Sequence, residues 1–330
     1  MQVNWNEKEI ADLSSKVTAL SASMSQVIIG QHEVIESLII CLLAGGHALV
    51  EGVPGLGKTL LVKSLAQATD MEFRRVQFTP DLMPSDIVGT EILEEDTSTR
   101  QRVFRFQKGP IFTQILLADE INRAPPKTQS ALLEAMQERS VTFAGHTHRL
   151  PQPFFVLATQ NPIEQAGTYP LPEAQLDRFL LRIDVAYPSE EEEITMVSRT
   201  THAGLADAQQ AMDVASLLRL QALVREIEIG DHLLRYATRL VRATRPQDSA
   251  VSSVKKHVGW GAGPRAGQAL VLASKARALM HGRLAVTRED IAAMLLPVLA
   301  HRVLRNFEAE ADGIAISDIL LALREQISID

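Results

Sequence analysis

The chain has 330 residues, a net charge of −7, 46% apolar and 22% charged residues, which suits a soluble protein of two domains and excludes a disordered chain, a collagen-like chain and a coiled-coil rod. No apolar run approaches the roughly 18 residues of a membrane span, no signal peptide is expected at the start, and Cys41, the single cysteine, excludes an internal disulfide or a cysteine metal cluster and points to a reducing cytoplasm. Neither half of the chain is a polybasic body of the kind that binds nucleic acid nonspecifically.

Along the chain, Leu13, Val17 and Leu20 mark one helix face and Val34, Ile35, Leu38, Ile39 and Leu42 a second. Gly45-Gly46 ends that second helix, and residues 47–51 read as a short buried strand. Further strands are expected at 73–78, 115–119, 154–159 and 180–185, with helical patterns between them at 58–68 and 128–138. Strands alternating with helices predict an α/β fold: a parallel five-stranded sheet with helices on both faces. Ser189 and Glu192 form a capping box at the head of a glutamate-rich helix, which places a domain boundary at Pro188-Ser189. Beyond it, residues 215–225, 232–244, 267–281 and 288–302 read as amphipathic helices, and no strand run is convincing. The expected division is an α/β domain over 1–188 and a small helical domain over 189–330.

The first strand runs into Gly52-Val53-Pro54-Gly55-Leu56-Gly57-Lys58-Thr59, with Leu60 next. This is the G-x-x-x-x-G-K-[ST] phosphate cradle. Glycines let backbone N–H groups point at phosphate oxygens, and the following helix presents its N-terminal dipole to the same anion. Lys58 would reach the β- and γ-phosphates of ATP, and the Thr59 hydroxyl would ligate Mg²⁺. Such a site needs an acidic partner at the end of a neighbouring buried strand. Ile115-Leu116-Leu117-Ala118-Asp119-Glu120 supplies it: Asp119 would hold Mg²⁺, and Glu120 would orient or activate the attacking water.

With these residues the chain resembles the AAA+ ATPases, and within them the MoxR family. The resemblance rests on Gly52 to Thr59, on Leu117 to Lys127, on Ala158-Thr159-Gln160-Asn161-Pro162, on Leu176-Asp177-Arg178-Phe179 and on Gln77 to Asp86. It implies a three-layer αβα nucleotide-binding domain followed by a helical lid. It also implies that Asn161 is the sensor that touches the γ-phosphate or the lytic water. Arg178 matches the arginine finger, which enters the neighbouring subunit's site in a hexameric ring; the plain alternative is a salt bridge to Asp177 or Glu173. Arg265, at the head of a helix after Gly263-Pro264, matches the second sensor, which reaches back to the γ-phosphate of its own subunit. Gly30-Gln31 matches the segment over the adenine, and Arg123 could sense a neighbouring nucleotide or serve structure.

Residues 78–113 match the family's helix insert. Glu91 to Asp96 and Arg100 to Phe106 flank Thr97-Ser98-Thr99 as an acidic and a basic arm, favoured as a charge-paired hairpin, with a polar loop that grips a client protein or a nucleic-acid strand as the alternative. Residues 138–152 read as a second hairpin turning near Gly145, whose His146 and His148 lack a nearby carboxylate or cysteine and make a poor metal site. The resemblance implies a motor that remodels client proteins, in metalloenzyme maturation or complex assembly, beside a separate protein with a von Willebrand factor A domain. Membrane insertion is not expected. A nucleic-acid motor and a nucleotide-gated scaffold are the alternatives; the acidic balance opposes the first, and the intact set of Lys58, Asp119, Glu120, Asn161 and Arg178 opposes the second.

Overall fold

The computed structural model describes residues 5–95, 102–161, 167–201 and 207–329. The expected Thr97-Ser98-Thr99 turn, with Asp96, Arg100 and Gln101, and Pro162 lie outside the described residues. Two helices open the chain, α1 (Glu7–Val27) and α2 (His32–Leu43), followed by β1 (Ala48–Gly52), α3 (Lys58–Ala68) and β2 (Phe73–Gln77). The insert carries α4 (Pro84–Val88) and the hairpin β3 (Gly89–Glu95) and β4 (Arg102–Lys108). Next come β5 (Ile115–Asp119), α5 (Pro126–Glu138), the hairpin β6 (Ser140–Phe143) and β7 (His146–Arg149), β8 (Phe155–Gln160), α6 (Glu173–Leu176) and β9 (Leu181–Val185). The remainder is mostly helical: α7 (Glu190–Thr201), α8 (Val214–Glu226), α9 (Asp231–Arg242), α10 (Ser252–His257), β10 (Val258–Trp260), α11 (Pro264–Met280), α12 (Arg288–Leu299), β11 (Leu304–Arg305), α13 (Phe307–Ala311) and α14 (Ile316–Gln326). No helix among the described residues is long and apolar enough to cross a membrane.

The five long-predicted strands form one parallel sheet in the order β2-β5-β8-β1-β9. The central strands are buried along almost their whole length, as strands covered on both faces must be. Their side chains alternate between two apolar clusters. Ala48, Val50, Ile115, Leu117, Phe155 and Leu157 face one side, while Leu49, Leu116, Ala118, Val156 and Ala158 face the other. The first cluster takes in α1, α2 and α3 and runs on into the helical half through Leu217, Leu270 and Leu295. The second is closed by Leu132, Leu133 and Met136 of α5. This is the three-layer αβα arrangement with a helical region attached to one layer.

One expectation is corrected. The helical half contains strand pairing after all: β10 lies antiparallel to β11, with Trp260 opposite Leu304. Three and two residues are too short for an alternating pattern to show in sequence, so the pairing is set by tertiary contact. The insert hairpin follows the charge-paired reading: Arg105 reaches Glu94 at 3.4 Å. His148 stacks on Phe106 with ring centroids 4.3 Å apart, so this histidine joins the two hairpins. Cys41 is fully buried, and burial raises its thiol pKa far above the ordinary range, as for a packed core thiol.

Candidate nucleotide site

The cradle stands at the C-terminal end of β1. Gly52 ends the strand against β9, where an added Cβ would sit 2.9 Å from Val185 O. Gly55 and Gly57 hold left-handed backbone, φ 89° and 73°, and an added Cβ at either would meet nothing within 4 Å. The turn itself demands glycine there, and the space a side chain would take is open. Gly57 is the N-cap of α3 and Lys58 its first residue, so the helix dipole points into the same space. Lys58 Nζ donates to Gly52 O at 2.7 Å. Burial lowers its ammonium pKa from the ordinary range, opposed by the charges of Asp119 and Glu120, which therefore lie within electrostatic reach. Thr59 and Leu60 follow on the exposed side of the helix.

The acidic pair ends β5, two places from β1 across β8. Thr159 of β8, fully buried, ties the pair together: its hydroxyl donates to Asp119 Oδ1 at 2.6 Å and accepts the Glu120 N–H at 2.8 Å. Glu120 itself is left-handed, φ 56°, a conformation that costs about 1–2 kcal/mol for a residue with a Cβ. Two residues of β2, to which sequence reading gave no role in the site, complete the arrangement. Arg75 donates to Asp119 Oδ2, and Gln77 Nε2 donates to Glu120 Oε2 at 2.7 Å. Arg123 Nη1 adds a second bond to that same Glu120 oxygen at 3.0 Å. The signal for Arg75 and Gln77 was positional: β2 pairs with β5 so that Gln77 stands beside Asp119. Asn161 is buried just past the end of β8, the strand between the cradle strand and the acidic strand.

Beside the cradle lies a cavity of about 520 Å³, of the size that takes a small ligand. Val27 to Ile29 and Gln31 form one wall, Gly55 to Gly57 and Leu60 the floor, and Met196, Arg199 and Thr200 of α7 the other wall. Gly30 and Gln31 are both left-handed, φ 65° and 48°, and Gln31 Nε2 lies 3.5 Å from Leu56 O. A Cβ on Gly30 would come within 2.3 Å of the Glu192 carboxylate, which caps α7 by accepting the Ser189 N–H at 2.8 Å. Arg199 ties α7 to the end of α1 through Gln26 O at 3.2 Å. The α7 wall was not foreseen: its glutamates read as a helix start, and nothing in sequence shows which neighbour that helix covers.

Arg178 and Arg265 lie elsewhere. Together with Gly45, Gly46, His47 and Arg139 they line a cavity of about 310 Å³ before the N-terminal ends of β1 and β9. The cradle is at the other end of β1, about 16 Å away at roughly 3.3 Å per strand residue. The expectation that Arg265 reaches the γ-phosphate of its own subunit is therefore corrected: α11 begins at the wrong end of the sheet for it. Asp177, a candidate partner for Arg178, pairs instead with Arg302 at 2.8 Å.

The cradle, the acidic pair and the strand order have counterparts in known proteins. Residues 47–181 match the ATPase family associated with various cellular activities (AAA), and residues 251–321 match the AAA lid domain. The chain is 42% identical over 309 residues to Chaperone MoxR1 of Mycobacterium tuberculosis, spanning 93% of this chain and 80% of that one. It is 32% identical over 316 residues to protein MoxR of Paracoccus denitrificans, spanning 90% and 91%. A crystal structure of a candidate ATPase from Cytophaga hutchinsonii superposes with a TM-score of 0.90 at 40% identity, covering 98% of this chain and 97% of that one. The chain belongs to the MoxR family of AAA+ ATPases.

Proposed function

We propose that the chain hydrolyses ATP with Mg²⁺ at the cradle, within a hexameric ring, and spends the resulting motion on remodelling or activating a client protein. The observation that carries this reading is the division of the expected residues. Lys58, Asp119, Glu120 and Asn161 gather at the C-terminal end of the sheet, and Arg178 and Arg265 gather at the N-terminal end. A site completed by a second copy fits that division. One subunit would supply the cradle, and its neighbour the two guanidinium groups for charge developing on the γ-phosphoryl group.

The residues present fit the nucleotide and its metal: an open glycine loop, an ammonium inside it, and two carboxylates, Asp119 held by Thr159 and Glu120 by Gln77. Mg²⁺, when bound, would neutralise charge between the β- and γ-phosphates. Thr59 and Asp119 are the residues that would hold it. Lys58 would exchange Gly52 O for phosphate oxygens, and Glu120 would take the proton of the attacking water. The wall made by Gly30, Gln31 and α7 would take the base and sugar. The helical residues from Ser189 onward would then act as a lid whose angle follows the nucleotide.

For the client, the reading draws on the relative named a chaperone and on the insert hairpin, where Leu93 and Phe104 stand opposite each other and remain exposed. A separate partner with a von Willebrand factor A domain completes the proposal, acting on metalloenzyme maturation or complex assembly in the cytoplasm. The test is affinity capture with Glu120→Gln, with and without ATP, identifying bound protein and nucleic acid together. ATP-dependent recovery of a discrete client is expected. Recovery of nucleic acid that survives moderate salt would replace this reading with a nucleic-acid motor.

A further inference from the structure

Arg302 belongs to the helical half, just beyond α12, yet its guanidinium serves the other half. The side chain is only 4% exposed. Nε donates to Asp177 Oδ1 at 2.8 Å, Nη1 to Leu180 O at 3.1 Å, and Nη2 to Asp177 O at 3.3 Å and to Phe179 O. One more bond, from Nη1 to Val298 O, fastens it to the last turn of α12. The adjacent His301 is also buried, and its Nε2 meets Phe179 O at 3.1 Å. A carbonyl is only an acceptor, so the ring proton sits on Nε2.

These contacts surround one residue. The carbonyls of Asp177 and Phe179 flank Arg178, and the Asp177 carboxylate beside it is committed to Arg302. Arg178 lines the cavity with Arg265, and its own Nε is buried without a hydrogen-bond partner among the described residues. Filling this volume with an apolar side chain would avoid the cost of desolvating a guanidinium. What an apolar side chain lacks is a planar fork of donors that fixes several backbone oxygens at once.

We propose that Arg302 is the positioning residue for Arg178. It sets the direction in which the Arg178 guanidinium is presented and makes that direction follow the helical half through Val298. The inference rests on the reading that Arg178 completes the neighbouring subunit's site. If that half rotates against the sheet, the segment 177–180 moves with it, so the state of one site is transmitted to the next around the ring.

The experiment mixes subunits of the full-length protein. Arg302→Met keeps most of the volume and removes the donors; Arg302→Lys keeps a charge and fewer donors. Arg302→Met is expected to lower ATP turnover about 10²-fold, the scale of a misplacement near 1 Å, with nucleotide affinity within about two-fold of the parent, and Arg302→Lys to recover part of the loss. Mixing Arg302→Met with Glu120→Gln should restore turnover, because the first subunit keeps its own base and borrows a correctly held Arg178 from the second. Mixing Arg178→Ala with Glu120→Gln is the control. If the control is restored and Arg302→Met is not, Arg302 is merely structural and the inference is overturned. If the control is not restored, the shared-site reading fails first and takes the inference with it. Unchanged turnover in Arg302→Met also overturns it. Should that variant not fold, Asp177→Asn loosens the same clamp, and the same mixing results decide.

Discussion

Arg75 holds Asp119 from the neighbouring strand: its Nε and Nη2 both donate to Oδ2, at 3.2 and 2.7 Å. The other oxygen of that carboxylate is taken by Thr159. A cation binding at Asp119 must therefore compete with a guanidinium that is itself half exposed. Arg75→Ala should raise divalent-cation affinity. Exposed pairs are worth about 0.2–1 kcal/mol, so the gain should be no more than about five-fold. Mn²⁺ binding followed by electron paramagnetic resonance in a Glu120→Gln background would measure it. Unchanged or weaker Mn²⁺ binding would remove Arg75 from the metal site.

Lys58 and Glu120 should separate binding from turnover. Lys58→Ala removes the only side-chain charge inside the glycine loop and should abolish ATP binding in a fluorescent-nucleotide titration. Retained binding would dismiss the cradle assignment. Glu120→Gln should keep binding and cut hydrolysis by about 10²-fold or more, because an amide does not accept the water proton. Normal turnover in that variant would mean that another group is the base.

At Gly30, two independent features oppose a side chain: the left-handed backbone and the Glu192 carboxylate 2.3 Å from the added Cβ. The backbone contributes about 1 kcal/mol, and the lost cap of α7 a similar amount. Gly30→Ala should thus lower the melting temperature by a few degrees and weaken nucleotide binding, since α7 is one wall of the pocket. Glu192→Ala in the same chain should relieve the clash and give a non-additive pair. Strict additivity of the two substitutions would show that Glu192 is not the obstacle.

His47 should make stability fall in mild acid. Its Nδ1 accepts the Val156 N–H at 3.0 Å, and its Nε2 lies 3.3 Å from Met136 O. Burial, assisted by the charge of Arg139, lowers its pKa to about 4. An unfolded histidine titrates near 6.5, so between these values the unfolded chain binds more protons. Stability is complete above the unfolded value and declines as pH drops toward 4, by about 3 kcal/mol for this one group. His301 is shifted in the same direction, by burial first and then by Arg302, and adds to the decline. Urea midpoints at neutral and mildly acidic pH would test it: His47→Gln, whose amide can make both bonds without titrating, should narrow the gap. An unaltered gap would exclude His47 as a source.

Much of this site was legible because it is local. Gly52 to Thr59 are contiguous, their backbone preferences follow from residue type, and the strand before and helix after show in short-range periodicity. Ile115–Asp119 reads as a buried strand for the same reason, and the Ser189–Glu192 capping box formed as its four-residue spacing requires. The roles of Arg75 and Gln77 were illegible: they lie on a strand whose neighbour, β5, begins some forty residues later, and only the register Gln77 to Asp119 brings them to the carboxylates.

By itself, then, the order of residues determined the phosphate loop, the carboxylates that face it, the alternation of strands and helices, and the family. Those properties depend on side-chain identity and on neighbours a few bonds away. The tertiary structure alone decided that α7 walls the nucleotide pocket, that Arg265 stands with Arg178 rather than with the cradle, and that Arg302 grips the segment around Arg178. Each of these depends on which end of the sheet the helical half packs against. That choice is made by the summed burial of apolar side chains drawn from the whole chain, and no short stretch of sequence contains it.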